Sequence, residues 1–295
     1  MTPHRVSHEL LRRVGPRLPL LARAVAHVTW GEAELRLLPA LCDRDRISVD
    51  VGSGFGVYAA IMLLYSRQVL AFEPDPRRYR LLRGSFAPAV AVKNCALSDR
   101  AGSAALRVPV VAGRAFVGRA SIEPENGFGG HRRAAAVAVE TRTLDSFALG
   151  AVGLIKIDVE GHELAVLRGA RETLVRHRPN LIIESERRHH PDCPDRMFAV
   201  LASLGYRGFF LLDRRLVAVD GFDRRKHQQP GSVGWCGKSP AGLYINNFIF
   251  VHEQADLDRL KATLGKDAVG AAAATAAEKE VPHARDDRLR GGPCP

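Results

Sequence analysis

The chain has 295 residues, 46% of them hydrophobic and 25% charged, with a formal net charge of +11, which suits one large folded core with extensions. No apolar run approaches the roughly 20 residues that span a bilayer, so no transmembrane helix is expected. The five cysteines, Cys42, Cys95, Cys193, Cys236 and Cys294, are odd in number and scattered, which argues against a disulfide framework and a zinc site and fits a reducing cytoplasm.

Residues 1–45 read as a helical extension, apolar at Leu35, Leu38 and Leu41 and interrupted at Pro16 and Pro19. Residues 1–30 carry five arginines against the single acid Glu9, but lack the continuous apolar core and cleavage site of a secretory signal. From residue 46 to 253 short β-rich runs alternate with helical stretches. Strands are expected at 47–52, 68–73, 89–97, 152–158 and 180–184, and helices near 56–66, 76–84, 162–176 and 194–204. Such alternation predicts an α/β fold, an open and mostly parallel sheet with helices on both faces. Residues 208–213, 216–220 and 244–253 then read as strands without intervening helices, so antiparallel strands finish the sheet. Residues 109–135 and 221–243 read as long loops, a length that usually signals function or disorder. Residues 254–295 form a C-terminal helix and an Ala-rich tail, for which composition predicts fraying and disorder from about residue 265.

The turn after the first strand, "DVGSGFG", places Asp50, Gly52, Gly54 and Gly56 at the carboxyl edge of the sheet, where open α/β sheets bind ligands. Glycines there serve a tight turn and a close ligand approach. The next strand, "QVLAFEP", ends in Glu73, a carboxylate placed to accept both hydroxyls of an adenosine ribose. The spacing G-x-G-x-G departs from the dinucleotide pattern G-x-G-x-x-G. An aspartate before the first glycine repels a diphosphate but suits an ammonium and a sulfonium. S-adenosylmethionine is that ligand. A third element, "GLIKIDVEGHE", sets Asp158, Glu160, His162 and Glu163 at the same edge, where Asp158 or Glu160 equally suits capping of the helix near His162. A fourth, "NLIIESE", ends in Glu184 and Glu186.

With these residues assembled, the chain resembles the FkbM family of S-adenosylmethionine-dependent methyltransferases over roughly residues 32–252. The resemblance rests on "DVGSGFGVYA", "AFEPDP", "VKNCALSD", "TRTLDSF", "IKIDVEGHELAVLRGA", "PNLIIE" and "YINNFIFV", in that order. It implies a class I methyltransferase fold, Rossmann-like, with seven strands, and most often methylation of a hydroxyl on a sugar, polyketide or related acceptor. It further implies that Asp50, Gly52, Gly54 and Gly56 hold the methionine portion, Glu73 the ribose, Asn94, Ser98 or Asp99 the adenine, with Ser98 and Asp99 favoured, and Asp158 the amino group or the acceptor. The chain departs from the family's frequent Gly-Ala-Asn run by having Gly52-Ser53-Gly54-Phe55.

An acceptor hydroxyl needs a general base, and His162 is the first candidate, Glu160 the second. His162 also suits a solvent-facing position in the first helical turn. Asp158, Glu160 and Glu184 are hard oxygen ligands that suit Mg²⁺, but without dedicated spacing no metal is predicted. Arg119, Arg132, Arg133 and His227 are candidates for binding phosphate or carboxylate on an acceptor. Basic pairs in the second half of the chain fit either a solvated face or anionic partners. With only 6% aromatic residues, nucleic-acid binding is disfavoured. A nicotinamide oxidoreductase and a catalytically silent relative that binds the cofactor or a glycan are the remaining rivals.

Overall fold

The computed structural model describes residues 32–111, 114–115, 119–124, 126, 134–189, 193–229 and 244–265. In chain order the strands are β1 (Ile47–Val51), β2 (Gln68–Phe72), β3 (Val90–Lys93), β4 (Ala96–Leu97), β5 (Gly102–Val111), β6 (Arg114–Ala115), β7 (Ala134–Arg142), β8 (Val152–Ile157), β9 (Asn180–Glu184), β10 (Arg207–Leu212), β11 (Arg215–Ala218) and β12 (Asn247–Val251). The helices are α1 (Leu38–Leu41), α2 (Val57–Tyr65), α3 (Pro76–Phe86), α4 (Glu163–Gly169), α5 (Arg171–His177), α6 (Asp195–Ser203), α7 (Arg224–His227) and α8 (Gln254–Leu264).

The main sheet runs β11-β10-β12-β9-β8-β1-β2-β3. β3, β2, β1, β8 and β9 are parallel, while β12 is antiparallel to both β9 and β10. Every residue of β8 is buried, as a parallel strand covered on both faces requires. Side chains alternate between the two faces: Val69 and Ala71 of β2 enter one core, Leu70 and Phe72 the other. The first core is closed by Leu35, Leu38 and Leu41, by α2, and by Leu257 and Leu260 of α8. The second is closed by α4, α5 and α6 through residues such as Leu167, Leu174, Met197 and Leu201. Each such leucine contributes roughly 1.5 to 3 kcal/mol by leaving water. The described parts of both chain ends therefore belong to the same core.

The chain order turns back between β1 and β8, with β2 and β3 to one side and β9 to the other. A crevice opens outside the strand ends at such a reversal, and the site lies there.

Several expectations need correction. The sheet has eight strands among the described residues, where the resemblance implied seven: β10 continues through the two-residue turn Asp213-Arg214 into the edge strand β11, which the run at 216–220 had indicated. Both turn residues have positive φ, 49° and 64°, the twist that a tight hairpin favours. That hairpin is not the C-terminal element, since β12 enters between β9 and β10.

The expected strand 89–97 is broken, and its second half joins another sheet, β4-β7-β5-β6. There β5 and β7 pair antiparallel from Gly102↔Thr141 to Pro109↔Ala134, so the expected loop 109–135 is in part the end of a long ribbon. Its alanine-rich strand β7 is mostly exposed, which left no hydrophobic alternation to signal it. The expected helix 162–176 is two helices that meet at Ala170. Pro16, Pro19, residues 230–243 and the tail from 266 lie outside the described residues. No helix among those described is long and apolar enough to cross a membrane.

Candidate active site

Three left-handed glycines build the crossover from β1 to α2, with φ of 76°, 55° and 77° at Gly52, Gly54 and Gly56. The Gly52 and Ser53 N–H groups both donate to the Phe72 carbonyl at 3.0 Å, and Ser53 Oγ donates to the Asp50 carbonyl at 2.8 Å. A Cβ on Gly52 would lie 1.9 Å from the Asp158 carbonyl oxygen, and one on Gly56 would lie 2.7 Å from Leu82 and Phe86 side-chain carbons. At Gly54 the nearest atom would be Arg78 Nη1 at 3.7 Å. The chain's own packing thus excludes side chains at Gly52 and Gly56. Ligand approach explains at most Gly54, which borders a cavity of about 240 Å³.

Asp50 and Glu73 both line this cavity. Asp50 Oδ2 accepts from the Ala59 N–H of α2 at 3.2 Å, and burial pushes its carboxyl up to about 6 against the pull of Lys156. Glu73 accepts from Gly54 N–H at 2.8 Å and Asp75 N–H at 2.9 Å; burial pushes it up to about 7 against the opposing charge of Arg78. Its position ties the glycine turn to the start of α3.

Lys156 is the residue that sequence reasoning missed. It is 1% exposed, lines the cavity, lies 5.0 Å from the Tyr58 ring centroid and donates to Asn247 Oδ1 at 3.3 Å. Burial pulls the ammonium down, but Asp158, Glu184, Glu32 and Asp50 together hold it above the ordinary lysine value. A lysine inside a strand buried on both faces demands such partners, and that was the available signal. Burial drives Asp158 up, with Lys156 opposing and Glu160, Glu32 and Asp50 adding to the rise; burial and then Asp158 drive Glu184 up, again with Lys156 opposing. Glu32 closes this end, accepting from Tyr58 Oη at 2.6 Å.

Glu160 also lines the cavity and holds a left-handed backbone, φ 55°, rare for a residue with a side chain. Its carbonyl accepts from Ser121 Oγ and Asn126 Nδ2, both at 2.7 Å, which braces the turn. Its carboxylate meets buried His189, with Nε2 2.8 Å from Oε2 but not aligned as a hydrogen bond. His189 in turn lies 3.6 Å from Glu186, which Arg188 and Tyr244 also bind. Burial pulls His189 down, yet contact with Glu160 and Glu186 raises it to about 9. Burial would raise Glu186, but His189 and Arg188 hold it well below the usual carboxylate range.

His162 is not part of the cavity wall. Its ring is tied on both sides, Nδ1 to Glu123 at 2.8 Å and Nε2 to Ser98 Oγ at 2.9 Å. Ser98 and Asp99 are likewise outside the wall, Asp99 pairing with Arg168 at 3.2 Å, while Cys95, Ala96 and Leu97 supply that side of the cavity. His227 sits 8% exposed against Phe210 and Phe222, its Nδ1 accepting from Asp223 N–H, and it does not line the cavity. Arg119 does not line the cavity, and Arg132 and Arg133 lie outside the described residues. Among the described residues no cluster of three or more His, Cys, Asp or Glu is arranged to hold a metal ion.

Among solved structures the chain is similar to the methyltransferase FkbM from Methylobacillus flagellatus KT, at 17% identity and a TM-score of 0.43 over 84% of this chain and 58% of that one. It thus spans 58% of the length of that protein. An rRNA methylase from Streptococcus thermophilus matches at 13% identity and a TM-score of 0.37, over 75% and 94% of the two chains. A Streptococcus mutans protein described as a methyltransferase, in complex with SAH, matches at 8% and 0.40, over 74% and 96%. No curated protein matches the chain. Residues 50–207, more than half of the chain and running from Asp50 beside the glycine turn to the start of β10, match the methyltransferase FkbM domain, and the chain belongs to that family.

Proposed function

We propose that this FkbM-family methyltransferase uses S-adenosylmethionine to methylate a hydroxyl of a small-molecule or glycan acceptor. The observation that carries the reading is the cavity at the sheet reversal, where the open face of Gly54 meets Glu73 and the carboxylates of Asp50 and Asp158 share one wall. A ligand with a ribose, an ammonium and a sulfonium fits such a wall. The protein of S. mutans was solved with SAH, the demethylated form of this cofactor, which agrees with the reading.

In this mechanism Glu73 would hold the ribose hydroxyls and Asp50 the ammonium end, Cys95, Ala96 and Leu97 would border the adenine, and Asp158 would face the acceptor. The bound sulfonium supplies an already activated methyl group. The chain's own residues therefore need only align an acceptor oxygen and take its proton. Asp158 and Glu160 are the proton acceptors on the cavity wall. Lys156 favours the ionised form of Asp158, and the left-handed turn at Glu160 aims its carboxylate. His162, tied to Ser98 and Glu123, holds the start of α4 against the turn after β4 and the segment between β6 and β7. The acidic wall suits a neutral polyol better than an anionic acceptor. The cysteines Cys42, Cys95 and Cys193 are buried, and their scatter through the core suits a reducing compartment such as the cytoplasm.

Calorimetry with S-adenosylmethionine and S-adenosylhomocysteine tests the cofactor, and labelled cofactor with a host lysate tests transfer. Micromolar binding and a labelled hydroxyl product are expected. Folded protein that binds neither compound refutes the proposal; binding without transfer to any lysate component supports the silent relative instead.

A further inference from the structure

A cation lies on the adenosine side of the cavity with an unfilled bond. Arg78 is the third residue of α3, its backbone fixed where Asp75 Oδ1 accepts from the Arg77 and Arg78 N–H groups at 2.7 and 3.2 Å. Its guanidinium carbon sits 5.0 Å from the centroid of the Phe55 ring. Both side chains line the cavity, and Phe55 is 39% exposed, one of few large apolar side chains left open to solvent. Arg78 Nε is buried and, among the described residues, has no hydrogen-bond partner. A buried donor of a charged group is costly to leave unmade, so the atom marks the place of a missing acceptor.

What surrounds that atom defines the acceptor. The guanidinium borders Gly54, whose N–H donates to Glu73 Oε2 at 2.8 Å. One stretch of wall therefore offers a charged donor and a charged acceptor side by side. A phosphate or carboxylate would satisfy Arg78 but meet the like charge of Glu73. A neutral vicinal diol satisfies both, since each hydroxyl can donate a proton and accept one. The opposing charge of Arg78 also favours the ionised form of Glu73, the form that accepts from hydroxyls.

We infer that Arg78, stacked on Phe55, is a ribose-binding residue: its Nε–H donates to one hydroxyl of the diol while Glu73 accepts from the diol. This rests on the adenosine-cofactor reading above. The sequence held the residue within "EPDPRRYR" with nothing to distinguish it from Arg77, which is exposed. Only the packing against Phe55 turns one of the two arginines to the cavity.

The test is calorimetry on the full chain with S-adenosylhomocysteine, adenosine, 2′-deoxyadenosine and 3′-deoxyadenosine, for wild type, Arg78→Met and Arg78→Lys. Wild type is expected to prefer adenosine to at least one deoxy analogue by about 10-fold or more, the scale of one charge-assisted hydrogen bond. Arg78→Met, which keeps an unbranched chain over Phe55, should bind S-adenosylhomocysteine about 10- to 100-fold more weakly and lose that preference. Arg78→Lys, which keeps the charge without the Nε–H, should stay close to the methionine variant. Equal S-adenosylhomocysteine affinity in wild type and Arg78→Met overturns the inference. So does an equal loss for all three nucleosides, which would assign Arg78 to the adenine ring. Should Arg78→Met fail to fold, wild type that binds adenosine and both deoxy analogues equally overturns it as well. Wild type that binds no adenosine compound at all is a different result and removes the cofactor reading itself.

Discussion

Alanine at each of the three turn glycines should give three different outcomes. All three share a left-handed backbone, which costs a residue with a Cβ about 1 to 2 kcal/mol. At Gly52 the new Cβ would also lie 1.9 Å from a backbone oxygen, that of Asp158, which cannot rotate away. Overpacking of this kind adds about 1 to 3 kcal/mol, for a total near 2 to 5 kcal/mol. At about 2 to 4 °C per kcal/mol in a domain of this size, Gly52→Ala should melt roughly 4 to 20 °C below wild type. Gly56→Ala meets only the side-chain ends of Leu82 and Phe86 at 2.7 Å, which can shift, so it should fall between. Gly54→Ala meets nothing closer than 3.7 Å and should lose only the shared backbone strain. Thermal and urea unfolding followed by circular dichroism at fixed pH measures the order. Equal melting points for the three variants would show that backbone strain alone selects glycine and that the Asp158 contact imposes no penalty. Gly54→Ala should nonetheless bind S-adenosylhomocysteine more weakly, because its methyl group enters the cavity wall.

Asp50 at about 6 and Glu73 at about 7 lie above their unfolded values, so their stabilisation of the ligand-free fold is full below about pH 4 and lost as pH rises through 6 to 7. A ligand that brings an ammonium and a diol prefers the ionised forms. Its affinity should therefore rise about 10-fold or more between about pH 5.5 and 8, with proton release visible as a buffer-dependent heat; a flat profile would exclude these carboxylates as ligands. His189, raised to about 9 by Glu160 and Glu186, stabilises fully below its unfolded value of about 6.5, and that stabilisation is lost as pH rises through about 9. His189→Gln should thus lose about 1.5 to 3 kcal/mol near pH 6 and converge on wild type near pH 10 in thermal melts. A deficit that does not change with pH would mean that the loss is one of packing.

Much of the fold was legible because it is local. The β-rich runs at Ile47, Gln68, Val152 and Asn180, each followed by a helical pattern, specify parallel βα units, and an acid or glycine at the end of each strand marks the edge where a ligand sits. Asp50, Glu73, Asp158 and Glu160 were found this way, and all four line the cavity. The ribbon of β5 and β7 was missed because its strands have little apolar alternation to read.

From sequence alone, this protein's turn chemistry, strand ends and family motif were determined, since each depends on residues a few positions apart. Only the tertiary structure decided which partners those residues have. Lys156 finds Asn247 91 positions away, His162 finds Ser98 64 positions away, and Glu160 is braced by Ser121 and Asn126 from the segment between β6 and β7. Such pairings follow from sheet order and from the path of an inserted ribbon. No short-range period carries that information, because contact across strands is set by packing the whole sheet at once.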